Sequence, residues 1–262
     1  MYFLFTDETN KESSGKAKFF IYGGVYVPIE RMKELHDLVE SIRQKAGYEP
    51  EDEFKFAPST KPESVSKDRF TKAKGDLLVG CSKLGIKFSA YLVHHHIARR
   101  REISDLVKWG ANTIISVFDR FLEEEKTFGF CILDRLPFEG DYGYLKEKFQ
   151  IGLIFQGGKT QRLNRILAYS ASCEGATHAI SAIDIILGSF RYCVNEKEKD
   201  IVPRKMFPVI ASMMWHKKIG NTSYLQERGL IFRPKKFDVP EYKSSYDELV
   251  ERFKTLLKTN GK

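Results

Sequence analysis

Residues 2–27 read YFLFTDETNKESSGKAKFFIYGGVYV, and the two apolar runs in this stretch decide the class of fold. Residues 2–6 and 18–27 are rich in β-branched and aromatic side chains, the composition of strands. The polar stretch 9–16 between them, with Asn10 and Gly15, reads as a hairpin loop. Pro28 ends the second run. From residue 30 to 46, Met32, Leu35, Leu38, Val39 and Ile42 recur at helical spacing. The chain therefore opens as an antiparallel hairpin followed by a helix.

Beyond this opening, strands alternate with helices. Residues 53–56 read as a short extended segment, followed by a loop with Pro58 and Pro62. A helix is predicted over 66–84, with Phe70, Ala73, Leu77 and Leu78 on one side, then a strand over 86–93. Residues 103–121 form a longer apolar-periodic helix, and 128–133 a buried strand ending at Asp134. Another strand is expected at 165–170 and a largely apolar helix at 175–194. After Pro203 the pattern loosens, until 246–257 reads as a C-terminal amphipathic helix behind the capping candidates Ser244 and Ser245. Hairpin first and alternation later imply an α/β fold, a mixed sheet with an antiparallel hairpin and a parallel side. With no repeat, low-complexity tract or long linker, residues 1–262 are expected to form one domain.

At 42% hydrophobic and 13% aromatic the chain has the material for a sizeable core, which argues against disorder. Lysine and arginine outnumber aspartate and glutamate by 43 to 35, so a polyanionic partner suits the chain's charge. Cys81, Cys131, Cys173 and Cys193 are widely spaced, without a CxxC pair, and read as buried free thiols rather than a zinc site. The opening MYFLFTDETN carries no basic leader or small-residue cleavage site. Neither a signal peptide nor a membrane span is expected, and a cytoplasmic location follows as the expectation.

The chemistry turns on where acids meet apolar elements. Asp7 follows YFLFT at the end of a strand that should be buried, with Glu8 beside it. Period-two alternation sends those two side chains to opposite faces if the strand continues. Asp134 ends the apolar run FGFCIL, and Asp184 lies inside the apolar helix AISAIDIILG. Carboxylates are rarely buried without a partner or a metal. Each has an ordinary alternative: a loop cap, a pairing of Asp134 with Arg135, or of Asp184 with Arg191 or a lysine. Taken together, the three acids point to a shared site for Mg2+ or Mn2+, which prefer hard oxygen ligands and serve phosphodiester cleavage.

FTDETN followed by FFIYGGVYVP resembles the start of the uncharacterised family known as domain of unknown function 3800. EFKF at 53–56, LDRL around Asp134 and SAIDIILGSFRY around Asp184 resemble that family's later marks, in the expected order. The chain departs from the pattern at Thr9-Asn10, where Ser-Gly is usual, and at Ser181 and Ile183, where glutamine and alanine are usual. The resemblance implies a ribonuclease H-like fold, here with helical insertions and a C-terminal helix. It implies Asp7, Asp134 and Asp184 as metal ligands, with Glu8 and Glu53 competing for a fourth position.

Lys55 shares a face with Glu53 on an extended segment, so it is a candidate to orient water or hold a phosphate oxygen, or else simply to pair with an acid. His94, His95 and His96 alternate and cannot all face one ion; a solvent-facing strand end is expected for them, the alternative being one general base or phosphate contact. His178, six residues before Asp184, is misaligned with it on a helix, but could contact substrate if the helix begins there. Basic clusters at Arg99-Arg100-Arg101, Lys159 with Arg162 and Arg165, Lys217-Lys218, and Arg233 with Lys235-Lys236 offer phosphate contacts. Trp215 and Phe232 are candidate stacking surfaces for bases. GGK at 157–159 lacks the spacing of a phosphate-binding loop, and Ser170 and Ser172 lack a nucleophile elbow. The expectation is a metal-dependent nuclease using Asp7, Glu8, Glu53, Lys55, Asp134 and Asp184. Its rivals are an inactive nucleic-acid- or protein-binding module on the same fold, and a hydrolase of small phosphorylated substrates.

Overall fold

The second apolar run forms a strand, Phe19–Pro28, that is buried at every one of its ten positions. A computed structural model describes residues 1–9, 18–98, 101–134, 141–154, 158–173, 175–196, 201–219, 222–236 and 239–258. The hairpin loop expected at 9–16 lies almost wholly outside them. The first elements are β1 (Tyr2–Thr9), β2 (Phe19–Pro28), α1 (Met32–Ala46), α2 (Lys67–Lys83), β3 (Lys87–His94) and α3 (His95–Ala98). Next come α4 (Ile103–Glu124), β4 (Gly129–Asp134), α5 (Asp141–Gln150), β5 (Leu153–Ile154), β6 (Thr160–Gln161) and β7 (Ile166–Ser172). The chain continues with α6 (His178–Asn195), α7 (Ile201–Met213), β8 (Lys217–Ile219), β9 (Thr222–Tyr224), β10 (Leu230–Arg233) and α8 (Pro240–Lys258).

Six strands make one mixed sheet in the order β10-β3-β2-β1-β4-β7. β2 is antiparallel to β1 and to β3. The pairs β1–β4, β4–β7 and β10–β3 are parallel. The class read from the sequence is therefore correct: α/β, with antiparallel and parallel halves flanked by helices. β2 is buried on both faces because each face carries its own core. Phe19, Ile21, Val25 and Val27 join the core under α1, α2, α6, α7 and α8. Phe20, Tyr22 and Tyr26 join the core under α4 and α5. Gly23 and Gly24 lie between these sets, and each lets a helix come close. A Cβ on Gly23 would lie 2.7 Å from Leu187 Cδ1 of α6, and one on Gly24 2.6 Å from Ile114 Cγ2 of α4.

Several elements differ from the sequence reading. The loosening after Pro203 hides α7, whose Pro203 falls in the first turn, where its missing N–H costs nothing, and whose Pro208 lies inside the helix. α5 and the four-residue β10 were not expected either. α8 begins at Pro240, so Ser244 and Ser245 lie within the helix rather than capping it. Residues 53–56 are irregular, not a strand. Cys173 is exposed, whereas the other three thiols are buried as expected. Among the described residues, no helix is long and apolar enough to cross a membrane.

The Tyr246 hydroxyl ties α8 to the sheet: it accepts from the His94 amide at 2.8 Å and donates to the Arg233 carbonyl at 2.7 Å. Tyr246→Phe should cost about 2 kcal/mol, because the buried His94 N–H loses its acceptor. Thermal or urea denaturation checks this; an unchanged midpoint would show that α8 is held by packing alone.

Candidate metal centre and acidic cleft

Strand register brings the first two acids together. In the parallel β1–β4 pair Phe5 stands opposite Ile132, and carrying that register two residues further sets Asp7 beside Asp134. Both lie on the α6 side of the sheet, since Phe5 and Ile132 pack into that core. Glu8 starts on the other face, but β1 ends one residue later and its long side chain reaches round. The expected divergence of Asp7 and Glu8 is thus overturned. Asp7, Glu8 and Asp134, all half-buried, each offer a carboxylate oxygen, and the three oxygens lie within 4.8 Å of one another.

The third expected ligand arrives on α6. Leu187 seats this helix over Gly23, and Asp184, one turn earlier, lines the same cleft as the other three acids. Its Oδ2 accepts the Phe56 amide at 2.5 Å. Gly188 makes that approach possible, because a Cβ there would lie 2.3 Å from Phe56 Cγ. Asp184 is not one of the three convergent acids. It borders them while anchoring the 53–56 segment.

Arg43, buried at the end of α1, holds the neighbouring loop. Its Nη2 donates to the carbonyls of Glu49, Pro50 and Asp52 at 2.8, 3.0 and 2.8 Å. Its Nη1 donates to Glu40 at 2.9 Å, and Glu40 in turn lies 3.2 Å from His178 Nε2. The result is a cleft of about 560 Å³ walled by β1, β4, α6 and residues 50–55. Glu53 and Lys55 both line it and pair at 3.0 Å. His178, the first residue of α6, lines it as well.

Like charges at close range leave their mark on Asp7. Burial, then Glu8, Asp184 and Asp134, raise its carboxyl well above the usual range; the Glu8 amide, donating to Oδ1 at 2.7 Å, opposes this. Lys74, like Arg43, is a cation that the sequence reading missed. Its Nζ lies 4.0 and 4.5 Å from the Phe70 and Phe56 ring centroids and donates to the Phe56 carbonyl at 3.1 Å. Burial lowers its pKa to about 8, against the pull of Asp184.

The three convergent acids could hold a hard cation, since all the donors are oxygen, the ligand type that Mg2+ takes. Carboxylate oxygens suit Mn2+ as well.

Other candidates fall elsewhere. His94 and His95 are buried, not solvent-facing, and Tyr242 stacks on both His94 and His96. Trp215 is buried, with Arg120 and Arg228 against its ring, so it offers no face to a base. Phe232 packs edge-on against Tyr246. Arg233 and Lys235 are held by Glu227, whereas Lys159 and Arg162 are exposed. Arg99, Arg100 and Arg135 lie outside the described residues.

Two outcomes follow. The Asp7 pKa is higher in the folded than in the unfolded chain, so stability should fall as pH rises from about 4 through the folded value. Urea denaturation in chelator should therefore show Asp7→Asn more stable than the parent at neutral pH, with a weaker pH dependence; a parent stability that rises with pH beside an unchanged variant would contradict the crowding of charge. Gly188→Ala should cost about 2 kcal/mol, since the Phe56 ring must move. A thermal melt reads this out.

Comparison with protein-family models, curated proteins and solved structures finds no match for this chain.

Proposed function

We propose that the acidic cleft binds Mg2+ or Mn2+ and hydrolyses phosphodiester bonds in nucleic acid. The observation that carries this reading is the convergence of Asp7, Glu8 and Asp134 within 4.8 Å. Glu8, Asp184 and Asp134 crowd Asp7 with like charge, which a divalent cation would offset. When bound, such an ion supplies Lewis acidity and lowers the pKa of water. The chain's own groups do the rest. Asp7, Glu8 and Asp134 hold the cation, and Asp184 adds negative charge beside it while fixing Phe56. Lys55 presents a point charge to a phosphate oxygen, and the N-terminus of α6 adds its dipole to the same wall.

The sheet, with an antiparallel hairpin beside parallel strands, is of the kind that a ribonuclease H-like member of the domain of unknown function 3800 family calls for. The net charge of +8 and the exposed Lys159 and Arg162 support a nucleic-acid partner. A second reading, hydrolysis of a small phosphorylated substrate, is favoured by Glu51, Asp52 and Glu53 on the cleft wall, which repel a long polyanion.

The test is cleavage of end-labelled RNA and DNA oligonucleotides, and of bis(p-nitrophenyl) phosphate, with Mn2+, Mg2+ or chelator. Asp134→Asn should reduce turnover by more than about 100-fold, beyond the usual loss of an outer partner, with unchanged circular dichroism. Cleavage of the small diester alone would select the second reading. An absence of divalent-dependent turnover with all three substrates, or full activity in Asp134→Asn, would remove both.

A further inference from the structure

The six-stranded sheet ends at β7, which pairs with β4 on one edge and, among the described residues, with no strand on the other. Edge strands are commonly blunted by a charged side chain or a proline. β7 reads ILAYSAS and has neither. Leu167, Ala168, Ser170 and Ala171 are exposed along it.

α5 packs on β7 and overhangs this edge. One flank of the helix faces inward, because Tyr144 Oη donates to Asn112 Oδ1 of α4 at 2.7 Å. Lys148 and Leu145, both buried, come next round the helix and face the sheet. Tyr142 and Phe149 follow, about 150° round from Tyr144 and about 20° from each other. That flank points away from α4 and out over the edge of the sheet. Tyr142 is 85% exposed and Phe149 63%, and together they leave roughly 300 Å² in water. Lys146 lies further round, toward solvent. Two exposed rings above an unpaired strand edge leave a slot for one more strand.

We propose that a second copy of this chain fills the slot, its β7 pairing antiparallel with this one about a two-fold axis near Tyr169. Ala168 then faces Ser170 of the second copy, small residue against small. With the axis perpendicular to the sheet, both α5 helices lie on the same side of the joined sheet and run antiparallel, so Tyr142 of one meets Phe149 of the other. A two-fold contact of this kind requires a self-complementary patch, which this strand and flank provide. Charge selects the occupant. Two chains of net charge +8 repel except where they meet through an uncharged surface, and β7 with its overhanging rings is one. A nucleic acid or a charged peptide finds no countercharge along the strand. The two rings supply more than a third of the roughly 800 Å² that each partner buries in a stable interface. Ser172 stands opposite Asp134, so antiparallel pairing sets the two acidic clefts at opposite ends of the joined sheet. The proposal does not rest on the chemistry of those clefts.

Sedimentation equilibrium of the full chain should give twice the chain mass, with a dimer Kd below about 100 μM. Ser170→Lys sets like charges close to the axis, and the double variant Tyr142→Ala/Phe149→Ala removes the rings. Each should weaken dimerisation at least about tenfold with unchanged circular dichroism, since all three side chains are exposed in the single chain. Tyr224→Ala, exposed on β9, should leave the dimer intact. Cys173 is exposed, so in a Cys173→Ser background the pair Ala168→Cys/Ser170→Cys should give a covalent dimer on oxidation. A parent that stays monomeric at 100 μM leaves the edge to some other strand and overturns the proposal. So does a dimer that both the strand and the α5 variants leave unchanged.

Discussion

Gly23 and Gly24 leave β2 without a side chain on either face at the level where α6 and α4 cross it. Leu187 fills the space on one side and Ile114 on the other, and any Cβ at either glycine would collide with them. Close packing of this kind resists displacement, because interiors at crystal-like density have no slack to absorb a methyl group. The seating of α6 against β2 fixes the height of Asp184 above the sheet. Asp184 in turn anchors Phe56, and Gly188 clears room for the ring. The wall of the acidic cleft is thus set from the middle of the sheet outward.

Burial and the neighbouring carboxylates raise the Asp7 carboxyl well above its usual range, so its negative charge opposes folding. The Glu8 amide serves Asp7, the Phe56 amide serves Asp184, and Lys74 lends a positive charge from between two aromatic rings. Arg43 has a different part. It spends its guanidinium on three carbonyls of the adjoining loop and on Glu40, so its charge shapes the wall rather than neutralising the acids. Titratable groups perturbed in this way cluster at functional sites.

Most of the scaffold was legible because its elements obey simple periods. β1, β2, α4 and α6 show clear apolar runs or stripes, and their limits shift by only a few residues. α7 was hidden by Pro203 and Pro208, which read as breakers although a helix tolerates proline in its first turn. α5 contains Gly143 and leaves Tyr142 and Phe149 in solvent, so no apolar stripe marks it. At the site, Asp7 and Asp134 could be singled out because each ends an apolar strand. The approach of Glu8 to them could not, since alternation holds along a strand but not for a long side chain at its last turn. Arg43 and Lys74 carry no local signal at all. Both look like solvated helix residues, and only the long-range packing of the 49–56 loop gives them a role.

The β1–β4 pairing has a kinetic side as well. It joins the first strand to one formed after four intervening helices, so closing it requires a long loop and a large loss of chain entropy. Asp7 and Asp134 therefore meet only once this non-local contact exists, and Asp184 only after a further stretch of chain has docked. A nascent chain emerging from the ribosome holds its acids apart until much of its length is made. The convergence of Asp7 and Asp134 is then a marker that this non-local contact has closed.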